Sequence, residues 1–198
     1  MANLPVSIGG RRSTGVAAAL GRRGVPAVVL KRSAAVGASW RGHYDRLHLH
    51  TTRRLSGLPG LPIPRGFGRW VARDDVVRYL ELFARHHGPQ VRTGVDVSRI
   101  EVVPDGGGWV LRTADGGSLR ARVVVVATGY RRGLEPLVGH LGVLDARGLP
   151  TVHGPHCAPD LPGLHFIGYS NPISGMFREL RLDAVRTARA VHRRRHER

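Results

Sequence analysis

Val6-Ser7-Ile8-Gly9-Gly10-Arg11-Arg12-Ser13-Thr14-Gly15, with the helical run that continues to Gly24 and the apolar segment Ala27-Val28-Val29-Leu30, decides the fold of this chain. A short apolar strand, a glycine turn, a helix and a buried-strand pattern succeed one another in the order of a βαβ unit that binds a mononucleotide. In the G-x-G-x-x-G fingerprint the first glycine makes the tight turn. The second lets the backbone approach a pyrophosphate, and the third lets helix and strand pack closely. Here the six residues are Gly10-Arg11-Arg12-Ser13-Thr14-Gly15, so that, aligned on Gly15, Arg12 stands where the middle glycine belongs. Its side chain would have to swing out of the space above the helix N-terminus, or pair with phosphate as a donor fork. At the end of the second strand an acid normally accepts the ribose hydroxyls; this chain has Lys31, whose ammonium only donates.

Outward from this unit lie four separated patterns. They are Val36-Gly37-Ala38-Ser39-Trp40, Tyr44-Asp45-Arg46-Leu47-His48-Leu49-His50-Thr51, Leu58-Pro59-Gly60-Leu61-Pro62 and Gly68-Arg69-Trp70. In this order they resemble the flavin-containing monooxygenase family, in particular its short bacterial and plant YUCCA-like members. Arg73 to Gly88 reads as an amphipathic helix, with Val76, Leu80, Phe83, Ala84 and His87 on one face and Gly88-Pro89 as its stop. Three strands are expected next, Val91 to Val103, Trp109 to Thr113 and Leu119 to Val126, the last running into Ala127-Thr128-Gly129-Tyr130. In the family such a meander is an insert in the FAD domain and the ATG turn lies against the cofactor. The resemblance therefore implies an α/β fold: a Rossmann-like FAD-binding domain with a parallel sheet, a three-stranded β-meander insert and helices on both faces.

Beyond Tyr130 the pattern changes. In family members the first ATG turn leads into a second glycine-rich βαβ unit for NADPH, closed by a second ATG-like strand, whereas this sequence has one ATG turn and no further G-x-G-x-x-G. Arg131 to Leu137 and Leu141 to Asp145 resemble the segments that family members carry after the second turn. Residues 1–130 and 131–198 are accordingly expected to form one FAD-binding domain, with the NADPH domain deleted near 127–131. Leu161 to Tyr169 resembles the strand that returns to that domain, and Asn171-Pro172-Ile173-Ser174-Gly175 a loop feeding a helix N-terminus. Leu180, Ala184, Ala188 and Val191 stripe the final helix, and His192 to Arg198 is a basic tail expected to fray.

Composition narrows the classes. No run of about 18 apolar residues exists, and Met1-Ala2-Asn3-Leu4-Pro5 lacks a charged start and apolar stretch, which reads as a soluble cytoplasmic protein. Cys157 is the single cysteine, so no internal disulfide forms. Its neighbours His153 and His156 lie in a Pro/Gly loop without the spacing that structural zinc uses, and no metal is expected. The net charge of +17 invites a nucleic-acid reading. Of 31 basic residues only Lys31 is lysine, and the arginines are spread as pairs, Arg11-Arg12, Arg22-Arg23, Arg53-Arg54 and Arg131-Arg132, which argues against one dedicated nucleic-acid surface.

The resemblance implies FAD reduced by NADPH, reaction with oxygen, and transfer of one oxygen atom to a soft nucleophile or carbonyl, the flavin carrying the chemistry. No catalytic side chain is therefore singled out. By position, Gly10, Arg12 and Gly15 would form the pyrophosphate turn, Lys31 and Arg32 would meet the adenosine ribose, and Val97 would lie near the adenine. Ser39, Trp40, His50 and Thr51 would approach the flavin, Thr128 and Gly129 would lie under the pyrophosphate, and Gly168 with Asn171 near the ribityl chain. Three readings stay open: an oxidoreductase that binds FAD; a non-catalytic remnant of the fold, self-associating or partnering a complete paralogue; and a small basic protein that binds nucleic acid or another anionic surface. Arg12→Gly with Lys31→Glu is the pair of changes that would restore the pattern and tighten FAD binding.

Overall fold

The computed structural model describes residues 4–9, 11–104, 107–129, 133–170 and 172–196, the side chains of residues 11, 12 and 196 excepted. The opening unit is β1 (Val6–Gly9), α1 (Arg11–Gly21) and β2 (Val28–Lys31). Short helices α2 (Ala38–Arg41) and α3 (Arg53–Ser56) interrupt a long connection that ends in α4 (Arg73–His87). Strands β3 (Gln90–Thr93), β4 (Val97–Val102), β5 (Trp109–Thr113), β6 (Ser118–Ala121) and β7 (Val124–Ala127) come next. The chain closes with α5 (Glu135–Val138), β8 (Leu164–Phe166) and α6 (Met176–His196).

Two sheets result. The larger is five-stranded and parallel, in the order β3-β2-β1-β7-β8, and the smaller is the antiparallel β4-β5-β6. Strands β2 and β7 are buried at every position, and β1 at all but its last, which is why they read as unbroken apolar runs rather than alternating ones. One sheet face presents Val29 and Val125 to Val16, Ala17 and Leu20 of α1 and to Leu180, Ala184 and Ala188 of α6. The other presents Val6, Ile8, Leu30, Val124 and Val126 to Ile100, Trp109 and Leu111 of the antiparallel sheet and to Leu137 and Val138 of α5. Helices thus lie on both faces, but on the second the meander supplies much of the cover and α5 is a single turn.

Two of the three expected strands are divided. Val91 to Val103 breaks at Gly94, whose φ of +72° turns the chain from β3 in the parallel sheet to β4 in the antiparallel one. Leu119 to Val126 breaks at Arg122-Val123, so β6 completes the meander and β7 enters the parallel sheet. Apolar alternation that continues across a break carries no mark of such a change of sheet. The final helix also extends further than expected, through His196, and only the last two residues lie outside the described chain.

The connection between β2 and β3 has its own core. Trp40, Leu49, Leu58, Ile63 and Val71 pack against Val76, Tyr79, Leu80 and Phe83, and Phe177 joins them from α6. Helix α4 runs as the spacing requires and stops at Gly88 in the left-handed region. Tyr79 fastens the loop above it: its hydroxyl accepts from Leu58 N–H at 2.6 Å and donates to the Leu61 carbonyl at 2.6 Å. Burial pushes that phenol up to about 12. Tyr79→Phe strips both backbone groups of their partner, and the expected cost is about 2 kcal/mol, read as a melting temperature lower by roughly 4–8 °C in thermal denaturation monitored by circular dichroism.

Candidate functional site

Strand order reverses between β1 and β7: the β1–β2 connection leaves to one side, and β7 pairs on the other. In open parallel sheets ligands settle in the crevice outside the carboxyl ends of the strands at such a point. Gly9 ends β1 there, with φ +133°, and a Cβ on it would lie 2.4 Å from the Ala127 carbonyl oxygen and 3.0 Å from Ser13 Oγ. No side chain fits, so Gly9 is the tight-turn glycine. Gly15 carries no such constraint, since a Cβ there would meet only Leu58 Cδ2, at 3.8 Å. The close packing of helix on strand expected of Gly15 is therefore corrected: its bare face meets a loop side chain. Counted from Gly9, the fingerprint's later glycine positions fall on Arg11 and Thr14.

Directly behind this turn, Ser13 and Thr14 sit in the first part of α1 at 0% and 1% exposure, and neither hydroxyl has a hydrogen-bond partner. A buried hydroxyl without a partner costs on the order of 1–3 kcal/mol. Both lie in the first turn of α1, near the N–H groups that a helix leaves free at its start. Sequence reasoning passed over both, because serine and threonine in a helix carry no signal until their burial is seen.

The structure joins several residues that are distant in sequence. Thr128 and Gly129 continue from β7 at the crevice, and Thr128 Oγ1 is 2.7 Å from the Tyr169 hydroxyl, which sits next to Gly168. Thr51 lies against Gly175, whose missing Cβ would fall 2.3 Å from Thr51 Cγ2; this draws the His50-Thr51 segment to the start of α6. Trp40 is buried against Phe177 with ring centroids 5.9 Å apart, so its ring belongs to the core under the loop, while Ser39 and His50 are exposed. Gly10 and Asn171, and the side chain of Arg12, lie outside the described residues.

Lys31 ends β2, and its carbonyl accepts from Val95 N–H at 3.0 Å, two residues before Val97 opens β4. Lys31 is 2% exposed and its Nζ donates to the Ala35 carbonyl at 2.9 Å, while Arg32 is exposed. Burial, helped by the charge of Arg41, lowers the Lys31 pKa. The ammonium is thus turned into its own loop, and Lys31→Glu would set a carboxylate against that carbonyl. Of the two restoring changes, only Arg12→Gly is free of this opposition.

The His153-His156-Cys157 loop leads elsewhere. Cys157 Sγ lies 3.4 Å from Nε2 and 3.5 Å from Nδ1 of His165, and His165 Nδ1 lies 3.2 Å from the Gly154 carbonyl. Burial pushes the imidazole down to about 4 and the thiol up, so near neutrality the pair is uncharged and lacks the thiolate that nucleophilic or metal chemistry needs. Among the described residues no group of three or more His, Cys, Asp or Glu is placed to hold a metal, and no helix is long and apolar enough to cross a membrane.

A Rossmann-like parallel sheet with an antiparallel layer, a glycine turn at its switch point and a helix N-terminus behind it is the FAD-domain architecture of the flavin monooxygenases. The chain is a homologue of these enzymes, and its sequence relatives include the YUCCA monooxygenases. It is 41% identical over 114 residues to the indole-3-pyruvate monooxygenase YUCCA1 of Oryza sativa subsp. japonica, covering 57% of this chain and 28% of that protein. It is 31% identical over 151 residues to the probable indole-3-pyruvate monooxygenase YUCCA4 of Arabidopsis thaliana, covering 75% of this chain and 36% of the relative. The chain thus spans about a third of these relatives. A flavin-containing monooxygenase from Stenotrophomonas maltophilia superposes with a TM-score of 0.59 at 29% identity, over 66% of this chain and 41% of that one. A mutant flavin monooxygenase chain from the same organism shares the fold at a TM-score of 0.86 and 16% identity, covering 97% of this chain and 98% of that chain. No protein-family model matches.

Two outcomes test this geometry. Thr14→Val keeps the shape and removes an unpartnered hydroxyl, and the ligand-free protein should gain about 1 kcal/mol, seen as a higher urea midpoint. His165 titrates near 6.5 when unfolded and about 4 when folded, so its contribution is intact above pH 6.5 and is lost as pH falls toward 4. The loss amounts to about 3 kcal/mol. Denaturant midpoints measured across that window should fall more steeply in the native chain than in His165→Leu.

Proposed function

We propose that this chain is the FAD-binding half of a flavin monooxygenase-like oxidoreductase, formed as one domain from residues 1–130 and 131–198, with the nicotinamide domain deleted near 127–131. The observation that carries this reading is the pair of buried, unpartnered hydroxyls of Ser13 and Thr14 behind the Gly9 turn at the switch point. Pairing of β7 with β8 supports the single domain, because the segment after 131 returns to the same sheet. FAD, when bound, would accept hydride from a nicotinamide and pass electrons to dioxygen.

The chain's own residues would then act by holding and orienting. The N–H groups at the start of α1, with the Ser13 and Thr14 hydroxyls, would donate to the pyrophosphate above Gly9 and Gly10, with Thr128 and Gly129 beneath it. Arg12 would add a fork from outside or stand clear, and Gly15 would turn its bare face to Leu58. Val97 would border the adenine and Arg32 the ribose, with Lys31 held back by Ala35. Ser39, His50 and Thr51 would flank the flavin with Trp40 in the core beneath them, and Gly168 and Asn171 the ribityl chain. NADPH is implied by the family alone. With the nicotinamide domain deleted as proposed, the reduced flavin would be open to water and would give peroxide rather than oxygenate a substrate.

The engaged Lys31 ammonium favours a second reading, a non-catalytic domain that has lost part of its cofactor recognition and associates with itself or a complete paralogue. Purification, an absorption spectrum and FAD titration together separate the two. A flavin spectrum near one equivalent, weakened about tenfold or more by Ser13→Ala with Thr14→Val, is the expected result. A folded, colourless protein that takes up no FAD would leave only the second reading.

A further inference from the structure

A groove of about 640 Å³ lies at the far end of α1, where that helix meets α6. Five arginines line it: Arg22 and Arg23 from the turn after α1, and Arg181, Arg186 and Arg189 from α6. The two helices pack through Val16, Ala17 and Leu20 on one side and Leu180, Ala184 and Ala188 on the other, which gathers arginines from opposite ends of the sequence on one rim. One of the arginine pairs spread along the chain thus meets three single arginines of the last helix once it is folded.

None of the five has a carboxylate at ion-pair distance among the described residues. Asp183, close enough to feel the Arg186 charge, is 9% exposed, and burial raises its pKa toward the neutral form. Arg22 is seated rather than loose. A Cβ on Gly60, at φ +85°, would fall 2.8 Å from its Nη1 and 3.2 Å from its Cδ, with His87 Cε1 at 2.9 Å on the other side. Like charges gathered in a groove repel one another, and a multivalent anion removes that repulsion.

We propose that this groove is a binding site for a condensed-phosphate chain. Guanidinium forks match phosphate oxygens two at a time, and several on one rim match consecutive phosphates. The remaining lining, Ala19, Pro59, Gly60, Leu182 and Val185, contains no aromatic ring, so nothing there offers a flat face to a nucleobase. The site lies about 16 Å along α1 from the switch-point crevice, at 1.5 Å per residue. It is independent of whether FAD binds.

The test is calorimetric titration of the full chain with sodium tripolyphosphate near physiological salt. Binding in the micromolar range is expected, weakened more than about tenfold in the triple variant Arg22→Gln, Arg186→Gln, Arg189→Gln. The charge-matched triple Arg65→Gln, Arg120→Gln, Arg122→Gln should change it less than about twofold, because those arginines lie outside the groove and net charge acts weakly through salt. Circular dichroism confirms that both variants fold. Equal losses in the two triples, or no binding by the native chain, would overturn the site. ATP is expected to bind no tighter than tripolyphosphate; a tenfold preference for ATP would overturn the phosphate-only lining. Groove-dependent binding of duplex DNA without binding of tripolyphosphate would overturn it in favour of a nucleic-acid surface.

Discussion

The contact between Gly9 and the Ala127 carbonyl is the constraint on which the rest of this structure depends. Strand β1 can pair with β7 to its last residue only because position 9 has no Cβ to strike that oxygen. The pairing fixes the switch point, and the switch point fixes where α1 begins. From there the Ser13 hydroxyl comes beside Gly9, and Thr128 at the end of β7 meets the Tyr169 hydroxyl. A side chain at position 9 would part β1 from β7 and dissolve that geometry.

A second dependence runs through α6. Its apolar stripe covers one sheet face beside α1, its first turn carries Phe177 into the core beneath the long loop, and Gly175 before it admits Thr51. One helix thereby ties the sheet, the loop and the end of the crevice together. The same pairing of helices gathers the arginines, so the charged rim is a by-product of the packing that builds the core.

The parts of this architecture written in local periodicity were legible in the sequence. The α4 stripe with its Gly88 stop and the α6 stripe stand where their spacing puts them, and the run from Leu119 to Val126 is strand, though its second half joins the parallel sheet rather than the meander. What was hidden depends on three-dimensional contact. The role of Gly9 is an example, since nothing in the sequence shows that the Ala127 carbonyl stands where its side chain would be. The break at Gly94 is another, since Val95 and Val97 continue the alternation across the change of sheet. Lys31 shows in sequence only as a donor where an acid is usual, and its engagement with Ala35 is a tertiary fact. Ser13 and Thr14 gave no sign at all, because their meaning lies in burial without a partner.

The place of β1 also bears on how the chain is made. One of its edges is satisfied by β2, some twenty residues later, but the other waits for β7, and Ser7 reaches the Val125 carbonyl across a separation of 118 residues. At translation rates of about 5–20 residues per second, that second edge stays open for roughly 6–24 s. During this interval the strand presents unsatisfied N–H and C=O groups and an apolar surface, the combination that recruits strands from other chains. A nascent chain of this fold is most exposed to misassembly while the meander is being synthesised, and the arrival of Val124–Ala127 ends that exposure.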